Sequence, residues 1–167
     1  MRAWEFQSLQ NVAIRNNWHQ FICMQSYYSL LGREEEREMI PYCKDAGIGL
    51  VPWSPLARGV LARPWNSRTS SREATDFALQ LLVRHRETEA DKAIVDRVEQ
   101  FATQKGATMA QIAIAWLHSR GVYPSLGLNT TDRIDEAVGA LRVHLTEEEI
   151  KALEEPYIAK GLSVIEL

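Results

Sequence analysis

No stretch of this sequence strings together the roughly 20 apolar residues that a bilayer-spanning helix needs. The opening MRAWEFQ also lacks the apolar core of a secretory signal, so a cytoplasmic protein is the expectation. Cysteine is almost missing: Cys23 and Cys43 are the only two, and neither stands in a CxxC or His-flanked pattern. That spacing supplies no zinc motif and no disulfide framework, so no metal site is expected and both thiols are read as buried and free. Charge of one sign is lacking as well. With 19 Lys and Arg against 22 Asp and Glu the net charge is −3, which signals neither a nucleic-acid face nor a basic membrane-seeking helix. Low-complexity segments are absent too, and the 167 residues suit one domain.

What is present is an alternation. AWEFQSLQNVAIRNN places Trp4, Leu9, Val12 and Ala13 near helical spacing and is followed by QFICMQ, an apolar run of strand length. In EEEREMIPYCKDAG an apolar stripe of Met39, Ile40 and Cys43 follows a run of acids, with Gly47 as a stop and Pro41 tolerable only near a first turn. IGLVPW reads as a second strand. Residues 62–89 read as a long loop. Three further helices are expected in KAIVDRVEQFATQKG, TMAQIAIAWLHSRG and TEEEIKALEEPY. The last two carry capping boxes from Thr108 to Gln111 and from Thr146 to Glu149. VYPSLGL is a third strand, with the helix TDRIDEAVGALR after it. Strands separated by helices predict a parallel α/β sheet with right-handed crossovers, and ligands of such sheets bind at the carboxyl ends of the strands.

Taken in order, MQSYYSLLGREEEREMIPYCKDAGIGLVPWSPLARGVL, TMAQIAIAWL, YPSLGLNTTDRIDEAVGAL and LTEEEIKALEEPY resemble the carboxyl-terminal part of an aldo-keto reductase, over almost the whole chain. The resemblance implies a partial (β/α)8 TIM barrel, roughly its last three βα units, and an oxidoreductase that uses NADP(H) on a small carbonyl substrate. By the same token Gln25 matches the glutamine that bonds the nicotinamide carboxamide, and Trp53 the aromatic that stacks on the ring. Ser54, Leu56 and Gly59 match the turn around the pyrophosphate, and Gly127, Asn129, Arg133 and Glu136 the positions around the adenosine and its 2′-phosphate. Three departures stand out: Ser26 where asparagine is frequent, Ala137 where an adenine-contacting asparagine is common, and no cation at Asn129 or Thr130. The family's catalytic Asp, Tyr, Lys and His belong to earlier strands, and no motif here matches them, which reads as a truncated form.

Among local residues, Tyr27 and Tyr28 follow the first strand, and one of the two faces the ligand edge as a candidate acid; packing against a helix is the competing role. The Glu34, Glu35 and Glu36 run reads as a solvated first turn. Trp4, Trp18, Trp65 and Trp116 read as core or interface anchors. Open parallel edges call for cover, and a homodimer is expected, with a rearranged sheet closed by the tail, 158–167, or association with another polypeptide as the alternatives. Two other functions fit the same residues: a non-redox acid/base enzyme (isomerase, epimerase, dehydratase or cyclase) and a non-catalytic interaction protein.

Overall fold

A computed structural model of the chain describes residues 1–67 and 75–161. Helix α1 (Ala3–Arg15) leads to strand β1 (Cys23–Met24), a single 3-10 turn at Glu34–Glu36, helix α2 (Met39–Asp45) and strand β2 (Gly49–Leu50). Pro41 sits in the first turn of α2, where its missing N–H costs nothing. After a turn-rich stretch come α3 (Phe77–Leu82), α4 (Glu89–Lys105), α5 (Met109–Ser119), α6 (Thr131–Gly139) and α7 (Glu147–Glu154).

The ladder is short but its direction is unambiguous. Gly49, Val51 and Trp53 N–H groups donate to Ile22, Met24 and Ser26 carbonyls at 2.9, 2.9 and 2.8 Å. Both partners ascend together, as parallel pairing requires. Cys23 pairs with Gly49, Met24 with Leu50, and Tyr27 with Trp53. A third extended segment, 122–126, joins in the same sense: Tyr123 N–H donates to Leu50 (3.0 Å) and Ser125 N–H to Pro52 (2.8 Å). Regular strand is shorter than the sequence predicts because Pro52 has no N–H to give to the 122–126 segment, and Pro124 has none to give beyond it. The one Pro124 lacks lies on the outer edge of the arc.

Alternation along these segments separates two faces. Ser26, Leu50 and Val122 are buried beneath the helices, while Cys23, Gln25, Gly49, Tyr123 and Ser125 are exposed on the opposite, open face. The two thiols are free, as expected, but only Cys43 is buried; Cys23 belongs to the exposed set. Helix α5 lies at the heart of the covered side, with Ile112, Ala113, Trp116 and Leu117 in one core with residues of α2, α4 and α7.

Two expectations shift. The helix in α1 is present, but it buries Phe6, Gln10 and Ala13, leaving Trp4, Leu9 and Val12 exposed. Gln10 turns inward because its amide clamps one backbone position, donating to Phe21 O (2.8 Å) and accepting from Phe21 N–H (2.9 Å). Within 62–89, α3 forms in place of continuous loop, with the Asp76 carboxylate accepting from Leu79 N–H at 3.0 Å as its cap. Helix α4 likewise starts before Lys92, because Thr88 and Asp91 form a capping box. Residues 68–74 and the 162–167 part of the tail lie outside the described residues, and with them the sheet-closing role read for that tail. Among the described residues no helix is long and apolar enough to cross a membrane.

Candidate functional site

The carboxyl ends of β1, β2 and the 122–126 segment point the same way, and the odd-numbered residues there share the open face. Gln25 stands two residues before Tyr27, which pairs with Trp53, so the Gln25 amide and the Trp53 indole emerge on one side. The Tyr27 and Trp53 rings are 4.9 Å apart at 48°. Burial pushes the Tyr27 hydroxyl above its usual range, against a hydrogen bond with Ser29 that pulls the other way.

Beyond Trp53 the backbone turns sharply. Ser54, Ala57 and Arg58 take positive φ values of 58, 46 and 56°, and Gly59 one of 98°. Left-handed geometry at three non-glycine residues is strained, and such strain collects where a turn must approach something closely. Among the contacts that hold it, Ala57 N–H donates to Ser54 O at 2.9 Å, Gly59 N–H donates to Leu56 O at 2.8 Å, and Arg58 Nε donates to both Asp76 oxygens at 3.1 and 3.3 Å. Burial alone would raise the Asp76 carboxyl. The Leu79 N–H and the Arg58 guanidinium outweigh it and hold the group below its usual range. Leu56 packs between the two hydrophobic clusters and anchors the turn from beneath.

The third contribution is the amino end of α6. Thr130 Oγ1 accepts from Arg133 N–H (3.3 Å), and the Arg133 guanidinium donates to Asn129 Oδ1 (2.9 Å). Asn129 and Arg133, four residues apart, are thereby brought together on an exposed surface. Gly127 opens onto free space, so its lack of a side chain is not demanded by packing. Glu136 meets the rest of the protein through its carbonyl, which accepts from Gln111 Nε2 at 3.0 Å.

Tyr28 goes elsewhere. It is 1% exposed, stacks on Trp116 at 5.2 Å and donates its hydroxyl to Glu36 Oε1 at 2.5 Å. Burial first, then that carboxylate, push its pKa well above the usual phenol range. Side-chain alternation puts it opposite Tyr27, so its place as a candidate acid at the ligand edge is corrected to a packing role. The Glu34–Glu36 turn is corrected too, because it is a half-buried hub. Glu36 accepts from Arg33 Nη2 (2.8 Å), and Glu34 from Tyr157 Oη (2.7 Å) and Lys160 N–H (2.6 Å). Burial works to raise Glu36, yet the Arg33 and Tyr28 hydrogen bonds prevail and hold it low. Nothing local in EEE announces partners more than 120 residues away.

Sequence reading also missed Asp91, 2% exposed, which accepts from Lys160 Nζ at 2.6 Å and from Thr88 N–H at 2.9 Å. Its signal was the Thr88 to Asp91 capping pattern. Among the described residues no group of three His, Cys, Asp or Glu is arranged to hold a metal ion.

Chemically, the open face offers a flat indole, a primary amide, a strained turn and a helix terminus bearing a guanidinium. That set fits a dinucleotide: a ring to stack, a carboxamide to bond, and phosphates to meet backbone N–H groups and a cation.

The model of the Aldo/keto reductase family matches residues 2–158. The versiconal hemiacetal acetate reductase of Aspergillus parasiticus is 63% identical over 163 residues, 97% of this chain and 48% of that protein. Aldo-keto reductase AMT2 of Alternaria alternata is 44% identical over 160 residues, 96% of this chain and 43% of that protein. The crystal structure of the thermostable aldo-keto reductase Tm1743 with the inhibitor epalrestat superposes with a TM-score of 0.64 at 25% identity, over 88% of this chain and 44% of that one. The chain therefore spans about half the length of the relatives it matches.

Proposed function

This chain belongs to the aldo/keto reductase family, and on that premise we propose that it is the cofactor-holding, carboxyl-terminal arc of a cytoplasmic NADP(H)-dependent carbonyl reductase of barrel type. The observation that carries the reading is the shared orientation of Gln25 and Trp53 on the open face, above the left-handed turn at Ser54 to Gly59. Bound NADPH would supply a hydride to a small carbonyl substrate.

Each residue then has a separate task. Trp53 offers its face to the nicotinamide and Gln25 bonds the carboxamide, which fixes the side from which the hydride leaves. Ser54, Leu56 and Gly59 shape the turn that receives the pyrophosphate. Arg133, held toward Asn129, sets a positive charge at the start of α6, where the helix dipole also favours a 2′-phosphate. Gly127 leaves room beside it, and Glu136 is the next helical turn along. Carbonyl reduction also needs a proton donor. Tyr28 has given its hydroxyl to Glu36, and burial raises the Tyr27 hydroxyl above the usual phenol range, which makes it a weaker acid. The proposal therefore assigns cofactor positioning to this chain and the acid to other groups.

Titration with NADPH, followed by tryptophan fluorescence, tests the reading. Saturable quenching is expected, about tenfold weaker in Trp53→Ala, where a stacked aromatic is lost. Arg133→Ala is expected to cost about threefold for NADPH and less for NADH. Absence of saturable quenching up to millimolar NADPH sinks the proposal and favours the non-redox alternative.

A partner follows from the same arc. One end exposes Trp18, Phe21 and Ile22, the other Tyr123, Val138 and Leu141, and a second copy is the proposed cover. Two chains of this length restore that of one relative. Light scattering at micromolar concentration should give twice the 19.0 kDa chain mass, and Ile22→Lys should return it to one. A monomer in the parent chain overturns the dimer.

A further inference from the structure

The turn after β1 is closed by two reciprocal backbone bonds: Ser29 N–H donates to Gly32 O at 3.1 Å, and Gly32 N–H to Ser29 O at 3.0 Å. Gly32 is therefore fixed in place. A Cβ built there would lie 2.3 Å from Tyr27 Cε1 and 3.0 Å from its Cδ1, inside any distance that real carbon atoms keep. The Tyr27 ring thus rests edge-on against the bare glycine backbone. It also meets the Trp53 ring, 4.9 Å away and tilted by 48°, and the two residues are bridged through their backbones.

We propose that Gly32 and Tyr27 are positioning residues for Trp53: the missing side chain at 32 admits the phenol ring, and the phenol ring sets the tilt and height of the indole on the open face. Tyr27 works here through its ring and not its hydroxyl, which separates this role from that of an acid. The consequence for binding rests on the reading of Trp53 as a nicotinamide platform; the consequence for the indole itself does not.

The physical logic is a three-member stack. An added methyl at 32 cannot retreat, because both backbone groups of the residue are bonded, so the phenol ring moves. Aromatic neighbours interact over a narrow range of distance and angle, so the indole loses its support. Removing the ring takes away one of the indole's neighbours, the core beneath it being another, and a methyl at 32 no longer meets the phenol.

Near-UV circular dichroism and NADPH titration on the same variants provide the test. The Trp53 signal is taken as the difference between the parent chain and Trp53→Leu. Gly32→Ala and Tyr27→Leu are each expected to lose more than half of it, and each to weaken NADPH about three- to tenfold. Tyr27→Phe should keep both within about twofold, since it keeps the ring. Tyr27→Leu combined with Gly32→Ala should be no worse than Tyr27→Leu alone, since coupled neighbours are not additive. Should Gly32→Ala fail to fold, Tyr27→Leu against Tyr27→Phe decides the matter. An unchanged Trp53 signal in Tyr27→Leu, or equal losses in Tyr27→Phe and Tyr27→Leu, overturns the proposal. If the parent binds no NADPH while the dichroism behaves as expected, the cofactor reading fails and this one stands.

Discussion

Trp116→Ala is expected to lower stability by about 3–5 kcal/mol, the range for truncating a fully buried aromatic. Trp116 is 0% exposed in the last turn of α5, and three separate interactions meet on it. Its ring stacks on Tyr28 at 5.2 Å, its Nε1–H donates to Glu154 Oε1 at 2.8 Å, and the Arg33 guanidinium lies over its face at 5.7 Å. Through Tyr28 and Arg33 it touches the turn after β1; through Glu154 it reaches α7. Truncation leaves a cavity and also removes the indole donor to a carboxylate that Arg33 and Arg120 flank at 3.2 and 3.6 Å. Those two cations keep Glu154 paired, so most of the loss is packing. Trp116→Phe, which keeps a ring, should therefore cost less than half as much. Urea unfolding midpoints measure both; a loss under about 1 kcal/mol for the alanine variant contradicts this picture of the core.

Asp91→Ala is expected to cost about 2–4 kcal/mol. The carboxylate is the first-turn cap of α4, accepting from Thr88 N–H, and the counter-charge of Lys160, whose side chain is 16% exposed. Its removal strands an ammonium between Leu31 O and the core, where water reaches it poorly. Much of the cost is that stranded charge and not the bond itself. The double variant Asp91→Asn with Lys160→Met should consequently recover at least half of the loss. Equal destabilisation in the single and double variants would place the whole effect in the helix cap. Because Lys160 Nζ holds the segment after α7 against the turn that follows β1, the single variant should also raise proteolytic cleavage near residue 160.

Local signals in the sequence were read well, for reasons that are local. The capping boxes at Thr108 and Thr146 form as the spacing requires, and Gly106 and Gly121 end their helices at φ values of 60 and 74°. Proline at 41 sits where a first turn tolerates it. The three-segment order was legible too, and Gln25 and Trp53 stand at the same parity of the paired register. Less legible was anything that joins distant residues. The apolar spacing of Trp4, Leu9 and Val12 is real, yet α1 turns a different stripe inward because Gln10 finds the Phe21 backbone. Cys23 reads as a core thiol until its strand is seen to have one uncovered face.

What the sequence determined by itself is the list of parts: which stretches coil, where they stop, and which residue types stand at the strand ends, since helix capping, turn geometry and side-chain alternation each act over a few neighbours. The tertiary structure alone decided which of two adjacent tyrosines supports the indole and which supports the core. It also decided that Glu34 and Glu36 form a hub and that Asp91 meets a lysine 69 residues away. Those outcomes depend on pairing register and on charges brought together from far along the chain, and neither is a property of any short window of residues.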